Sequence, residues 1–359
     1  MQIDADIWLR LNGIAVTSFL PITVCIVTHR RPDLLKQLLC ALSRCQLPSG
    51  FQEVIVVENG GCEESIQVVH DADPSLHAVR LCCPSPIKSA ALNLALTRIP
   101  EGLVVFIDDD ASPKKNWLIA YTQAAARNPE KRYFGGPFTV QYDVPPKDWL
   151  LRFLPLSAIG SETCQRVNPV IAKQFLGFNW AAYVSDLKQI GGFSTYFGPG
   201  TPRGGGDESF AQMQLRSIDV HGEFVENAVV SHYVPVENCS PEWLLRRTMG
   251  AGMTSGIAYE QRCRETGTRI KPYRSILRRV RQWSRFSDLL SLLTFRQPGR
   301  YWLKYWLIWS QGFLQGIREG VSHRPLESAD GRSRGLDADH QDGGEGIDLG
   351  VPAGDIRRF

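Results

Sequence analysis

Three consecutive carboxylates close a short apolar run, Val104-Val105-Phe106-Ile107-Asp108-Asp109-Asp110. The run suits a buried strand. Side chains alternate along a strand, so Asp108 and Asp110 are expected on one side and Asp109 on the other. Two neighbouring carboxylates repel unless positive charge lies between them. A divalent cation such as Mg2+ or Mn2+ answers that repulsion with its preference for oxygen ligands, and it typically holds phosphate oxygens as well. The carboxyl end of a strand is also where open α/β sheets place ligands. The other reading is a solvated acidic turn capping the next helix, because Ala111-Ser112-Pro113 follows.

The elements that must position these residues come in a regular order. Pro21 introduces Ile22-Thr23-Val24-Cys25-Ile26-Val27-Thr28, a β-branched run that reads as a buried strand. Pro32-Asp33 follows, with Leu34, Leu35, Leu38, Leu39 and Leu42 at helical spacing. Glu53-Val54-Ile55-Val56-Val57 reads as a second strand, ending in the turn Glu58-Asn59-Gly60-Gly61. Residues 62–76 carry a weak helical pattern, Val79-Arg80-Leu81 a short strand, and a small-residue helix starts near Ser89. The 103–110 strand and a helix over 117–126 complete an alternation that predicts a mostly parallel sheet covered on both faces. Beyond it the pattern is less regular. Tyr133-Phe134-Gly135-Gly136-Pro137 is a strand entering a turn, and 141–175 is a long irregular stretch, of the kind that is often functional. Residues 178–184 read as a strand, Gly191-Gly192-Phe193 as a turn, and 198–206 as a glycine-rich loop delivering Asp207-Glu208-Ser209-Phe210 to a helix start. A strand over 225–230 is followed by His232, and from Pro241 the pattern is helical.

The 359 residues suffice for one large or two ordinary domains, and 43% hydrophobic content predicts a packed core for most of them. A net charge of +3 gives no reason to expect nucleic-acid binding by the whole chain. The nine cysteines are odd in number and hold no CxxC pair, so a reduced cytosolic set is expected rather than a disulfide framework. Residues 1–20 carry Asp4, Asp6 and Arg10 and do not read as a signal peptide. No uncharged apolar stretch reaches the roughly 18 residues of a spanning helix. Near the carboxyl end, a basic run (Arg262, Arg264, Arg269, Lys271, Arg274, Arg278, Arg279, Arg281, Arg285) precedes the aromatic stretch Tyr301-Trp302-Leu303-Lys304-Tyr305-Trp306-Leu307-Ile308-Trp309. That pairing is what a helix lying in a membrane interface shows. The alternative is a pair of core helices with a solvated basic face. Residues 323–359 are Gly/Asp-rich and read as a disordered tail.

Taken in order, the segments 22–32, 53–60, 88–96, 107–118, 191–193 and 205–210 resemble the family 2 glycosyltransferases over about residues 21–255. The resemblance implies the GT-A nucleotide-diphosphosugar transferase fold: an α/β, mostly parallel mixed sheet flanked by helices, here with a C-terminal helical extension. The implied domains are a lead-in (1–20), a catalytic domain (21–240), a helical segment (241–322) and the tail (323–359). Thr28-His29-Arg30-Arg31-Pro32 is similar to the first-strand end that holds the nucleobase largely by backbone contacts, with Arg30 where the family carries Asn. Glu58 stands where an Asp commonly faces base or ribose, with a turn residue as the other reading. Lys88-Ser89-Ala90-Ala91-Leu92-Asn93 resembles a helix start that meets the diphosphate, which puts Lys88 and Asn93 among the expected nucleotide-sugar contacts; the other reading of Lys88 is a solvated lysine. Asp108, Asp109 and Asp110 match the DxD strand end, with Asp108 near ribose or metal, Asp109 on the nucleotide-sugar side and Asp110 the direct metal ligand.

Gly206-Asp207-Glu208-Ser209-Phe210 resembles the family's acidic helix start, which implies Asp207 as general base and Glu208 as the second choice. A plain helix cap is the competing role. His232 falls where many GT-A enzymes carry a metal-binding histidine, and Arg247 where a side chain can fold over the leaving phosphates; an ordinary surface histidine and a solvated arginine are the alternatives. The implied reaction is inverting transfer from a nucleotide-diphosphate sugar, with Mg2+ or Mn2+, to a saccharide or lipid-linked acceptor in surface polysaccharide or glycolipid assembly. The expected place is the cytoplasm, at the inner face of the cell membrane if 262–320 makes a peripheral contact. The alternatives are a catalytically silent sugar-nucleotide binder, a sugar-1-phosphate nucleotidyltransferase, for which 28–32 lacks a glycine-rich basic loop, and a nucleic-acid binder, for which the basic run has few aromatics.

Overall fold

A computed structural model of the chain describes residues 20–160, 174–201, 204–284, 286–294 and 297–322. Residues 1–19 and the expected tail, 323–359, lie outside the described residues. The chain divides into two compact units, one ending at Leu244 and the other starting at Leu245.

The first unit begins with β1 (Ile22–Thr28), α1 (Pro32–Leu42), β2 (Phe51–Glu58), α2 (Glu64–His70), β3 (Val79–Cys82), α3 (Lys88–Arg98) and β4 (Leu103–Asp108). These four strands are parallel, in the order β3-β2-β1-β4. The sheet then continues through three shorter strands. After β5 (Ala111–Pro113) and α4 (Trp117–Arg127) come β6 (Arg132–Gly135), β7 (Phe138–Tyr142), α5 (Asp148–Leu151), β8 (Trp180–Tyr183), α6 (Val184–Gln189), α7 (Asp207–Ser217), β9 (His221–Phe224) and β10 (Val230–Val234). Strand β8 inserts antiparallel between β4 and β6, and β9 closes the edge parallel to β6. A second sheet, in the order β5-β10-β7, pairs β10 antiparallel to β5 and parallel to β7.

Strand alternation divides the core. Ile22, Val24 and Ile26 of β1 and Leu103, Val105 and Ile107 of β4 pack with Leu35, Leu38, Trp117 and Tyr121. Cys25, Val27, Val104 and Phe106 face the other way, onto Ala91, Leu92, Ala95 and Leu187. Burying each large aliphatic side chain contributes about 1.5–3 kcal/mol, so the continuous apolar runs of β1 and β4 specify a sheet covered on both faces, as expected.

Two boundaries differ from the expected ones, and both bear on the site. β4 stops at Asp108, and Asp109 and Asp110 form a turn, so the two-residue alternation does not extend across the three carboxylates. The strand expected over 225–230 is instead a bend followed by β10, which puts His232 inside a strand rather than after one. The Val225 N–H donates to the Gly135 carbonyl, and the Ala228 N–H closes a turn on Val225. Buried β-branched residues mark burial as readily as they mark a strand.

The division between units falls within α8 (Pro241–Glu265), and α9 (Pro272–Trp283), α10 (Phe286–Leu293) and α11 (Gln297–Ser322) follow. The core of this second unit is built on Trp306, Trp309, Phe313 and Ile317, against which Tyr259, Ile276 and Val280 pack. Helices α8 and α11 meet backbone to backbone. A Cβ at Gly252 or Gly256 would collide with the carbonyl oxygens of Trp309 and Phe313, and one at Gly312 or Gly316 with those of Met249 and Met253. The aromatic stretch 301–309 therefore takes the core alternative in large part, with Tyr301, Trp306 and Trp309 buried. Among the described residues no helix is long and apolar enough to cross a membrane.

Candidate active site

The carboxyl ends of β1 and β4 lie side by side, with Val27 in register with Asp108. At the end of β4 the three carboxylates divide between two cations, Arg31 and Lys88. Thr28 Oγ1 donates to Asp109 Oδ2 at 2.7 Å. Arg31, just ahead of α1, donates through Nη1 to Asp109 Oδ1 and to Asp110 Oδ2, each at 3.1 Å. Asp108 accepts instead from Lys88 Nζ at 2.5 Å. Burial, and then the Asp110 charge, push the Asp109 carboxyl up to about 6 against the pull of Arg31 and Thr28.

The second sheet brings in a residue more than a hundred positions away. Pairing of β10 with β5 sets His232 opposite Ala111, and the Tyr233 N–H donates to the Asp110 carbonyl at 2.8 Å. His232 Nε2 then stands 3.4 Å from Asp110 Oδ1. Its Nδ1 is 2.8 Å from the Ser157 carbonyl oxygen, which can only accept, so Nδ1 carries the proton. Phe178 stacks on the ring, with centroids 4.3 Å apart and planes 6° apart. Asp110 Oδ1 is buried with no hydrogen-bond partner. Burial works against the Asp110 charge, but His232 and Arg31 outweigh it and hold the carboxyl below its ordinary range. Two atoms that both offer lone pairs, 3.4 Å apart, with the carboxylate oxygen shielded from water, call for a cation between them: a proton or a metal ion. The donor set, one carboxylate and one imidazole with its far nitrogen bonded to a backbone carbonyl, fits a divalent metal. Among the described residues no third His, Cys, Asp or Glu completes a metal cluster.

A second group forms where residues 197–199 cross the start of α3. Ser89 Oγ donates to the Phe197 carbonyl at 2.8 Å, and the Lys88 N–H donates to the Pro199 carbonyl at 3.0 Å. Gly198, at φ +103, lies so close to Asp207 that a Cβ there would touch Asp207 Cβ and Cγ at 3.0 Å. Gly206, at φ +91, turns the chain into α7; only glycine takes that conformation without strain. Asp207 and Glu208 thereby line one pocket with Lys88, Asp108, Gly177 and Trp180. Asp207 is buried. Burial, and then the Asp207 charge beside it, push the Glu208 carboxyl well above its ordinary range and favour its protonated form. Burial also opposes the Lys88 charge, but Asp108 and then Asp207 outweigh it and raise the lysine pKa.

The structure thus gathers Thr28, Asp109, Asp110 and His232 into one cluster and Lys88, Asp108, Asp207 and Glu208 into another. Thr28 joins its cluster through its side chain, which donates to Asp109. The remaining expected contacts stand differently. Glu58 is fully buried, accepting from Ser65 Oγ and the Gly60 N–H, both at 2.6 Å, which is the turn-residue alternative. Arg30 is exposed, at φ +53, with Nε on the Gly60 carbonyl at 2.7 Å. Asn93 has both ends of its amide on the Phe193 backbone, donating at 2.8 Å and accepting at 2.7 Å, and so fixes the 191–193 turn to α3. Arg247 belongs to the second unit. Sequence reasoning passed over Arg31 and Phe178 as site residues. Arg31 lay inside the segment compared and differs from Arg30 only in which way the turn points it.

A sequence profile of the glycosyl transferase family 2 matches residues 23–191, which span every strand from β1 to β8. Residues 23–191 belong to that family. The chain is 24% identical over 246 residues to the succinoglycan biosynthesis protein ExoM of Rhizobium meliloti, an alignment covering 66% of this chain and 74% of that protein. Among solved structures, it is similar to the mannosyltransferase PcManGT from Pyrobaculum calidifontis, solved in complex with GDP-Man and Mn2+. The identity there is 18% and the TM-score 0.53, covering 84% of this chain and 88% of that one. That likeness establishes the GT-A glycosyltransferase fold, as expected from the resemblance.

Proposed function

We propose that this chain transfers a sugar from a nucleoside-diphosphate donor to an acceptor hydroxyl, with inversion at the anomeric carbon. The observation that carries the reading is Asp110 Oδ1, buried without a hydrogen-bond partner and 3.4 Å from His232 Nε2. Asp110 and His232 would hold Mg2+ or Mn2+, with donor phosphates supplying further ligands, as small divalent cations prefer. Such an ion supplies positive charge to the departing diphosphate. Asp108, expected as a second ligand, is paired with Lys88 and is better read as orienting that lysine. The Mn2+ and GDP-Man of the archaeal mannosyltransferase support the same donor class and cofactor here.

Asp207 is the base. It takes the proton of the acceptor hydroxyl as that oxygen bonds to the anomeric carbon and the carbon–diphosphate bond breaks on the opposite face. Glu208, the second candidate, lines the same pocket, and burial and the Asp207 charge favour its protonated form. The likeness to a succinoglycan biosynthesis protein supports a saccharide or lipid-linked acceptor in surface polysaccharide assembly.

The test is a panel of nucleotide sugars in thermal-shift measurements with and without Mn2+. One donor should stabilise the protein only when the metal is present, and Asp110→Ala and His232→Ala should each abolish that stabilisation. Metal-independent stabilisation, or none by any donor, would remove the metal-assisted reading.

A further inference from the structure

We propose that α9 docks the chain on an anionic lipid surface. Ile276 and Val280 seat this helix on the Trp309 cluster. Two more apolar residues of the same helix, Tyr273 and Leu277, lie one turn apart and are 69% and 67% exposed. Arg274, Arg278 and Arg281 are exposed beside them, and Lys271 stands just ahead of the helix. None of these four cations has an ion-pair partner among the described residues. Arg279 differs, lying over the Trp309 ring at 5.0 Å.

Ile276 and Val280 make the contact of this helix with the cluster, and Tyr273 and Leu277 stay outside it. Exposed apolar residues flanked by unpaired arginines are the pattern of a helix in the plane of a membrane interface: cations meet lipid phosphates while the apolar side chains enter below them. The buried aromatics of 301–309 are not part of this face. A nucleic acid is the less suited polyanion, since stacking calls for successive exposed rings and Tyr273 is the only such ring on α9 among the described residues.

Binding to vesicles is read with no sugar nucleotide present, so this proposal and the transferase reading fail independently. The test is co-sedimentation of the full chain with vesicles of phosphatidylcholine alone or mixed with phosphatidylglycerol. The chain should bind the mixed vesicles, and added salt should release it. The variant Arg274→Gln/Arg278→Gln/Arg281→Gln should lose on the order of a hundredfold in partitioning, at about fivefold per cation. Tyr273→Ser/Leu277→Ser should weaken binding about tenfold at unchanged charge. Both variants alter only exposed side chains and should keep the wild-type Tm. Amides of residues 271–282 in the wild-type chain should gain hydrogen-exchange protection on adding mixed vesicles. Equal binding to neutral vesicles, retention by the triple variant, or an oligonucleotide bound in preference to lipid would overturn the proposal.

Discussion

Glu208 and Asp207 are adjacent in sequence and share a pocket, and burial and the Asp207 charge raise the Glu208 pKa. If Asp207 is the base, Asp207→Asn should lower transfer by about 10²–10⁴-fold while donor affinity, measured by calorimetry, stays near wild type. Glu208 leads to a different expectation. A carboxyl whose folded pKa is raised binds more protons in the native than in the unfolded state, so stability falls as pH rises through that interval. For Glu208 the interval starts at its ordinary 4.5 and extends well upward. For Asp109 it runs from 3.8 to about 6. Wild-type Tm should therefore decline as pH rises above the ordinary carboxylate range, and Glu208→Gln should flatten part of that decline. An unchanged slope in that variant would mean that Glu208 is ionised in the folded protein.

Elements rather than single residues decide where the acids meet their partners. The turn 191–193 and the segment 197–199 are both fastened to α3, one through Asn93 and the other through Ser89 and the Lys88 N–H. Asn93→Ala removes two hydrogen bonds worth about 1 kcal/mol each, so it should destabilise the fold by about 2 kcal/mol in denaturant titration. Donor affinity of the folded variant should be unaffected. A large loss of affinity with no loss of stability would return Asn93 to the nucleotide-binding set. The β5–β10 pairing is the other decisive contact, because its register alone sets His232 beside Asp110.

At the scale of the whole molecule, the two units rest on different packing physics. The first buries a two-faced sheet. The second presses α8 and α11 together at Gly252, Gly256, Gly312 and Gly316, where backbone meets backbone. Any side chain at Gly256 must force the helices apart, and overpacking of this kind costs about 1–3 kcal/mol or more. Gly256→Val should lower the thermal transition of the second unit in calorimetry while donor-dependent stabilisation persists in the first. Loss of both together would show that the units fold as one.

The sequence by itself determined the α/β alternation, both faces of the central sheet, and the identities of Asp108, Asp110, Asp207 and His232 as residues worth chemistry. The first two are legible because apolar runs and periodicity record burial directly; the acids and His232 stood out by residue type and by their match to the family's motifs. Tertiary structure alone decided the pairings: Arg31 on Asp109 and Asp110, Lys88 on Asp108, His232 on Asp110. Strand alternation failed at Asp109 because the chain turns there, and propensity does not register one turn in a run of three identical residues. Glu58 and Asn93 looked like ligand contacts because polar residues at element ends serve ligands and backbone equally well. Only the position of the Gly60 amide and the Phe193 backbone distinguishes the two uses. Which aromatics of 301–309 face inward was likewise settled by helix packing, since a ring-rich helix is amphipathic toward a core and toward a membrane alike.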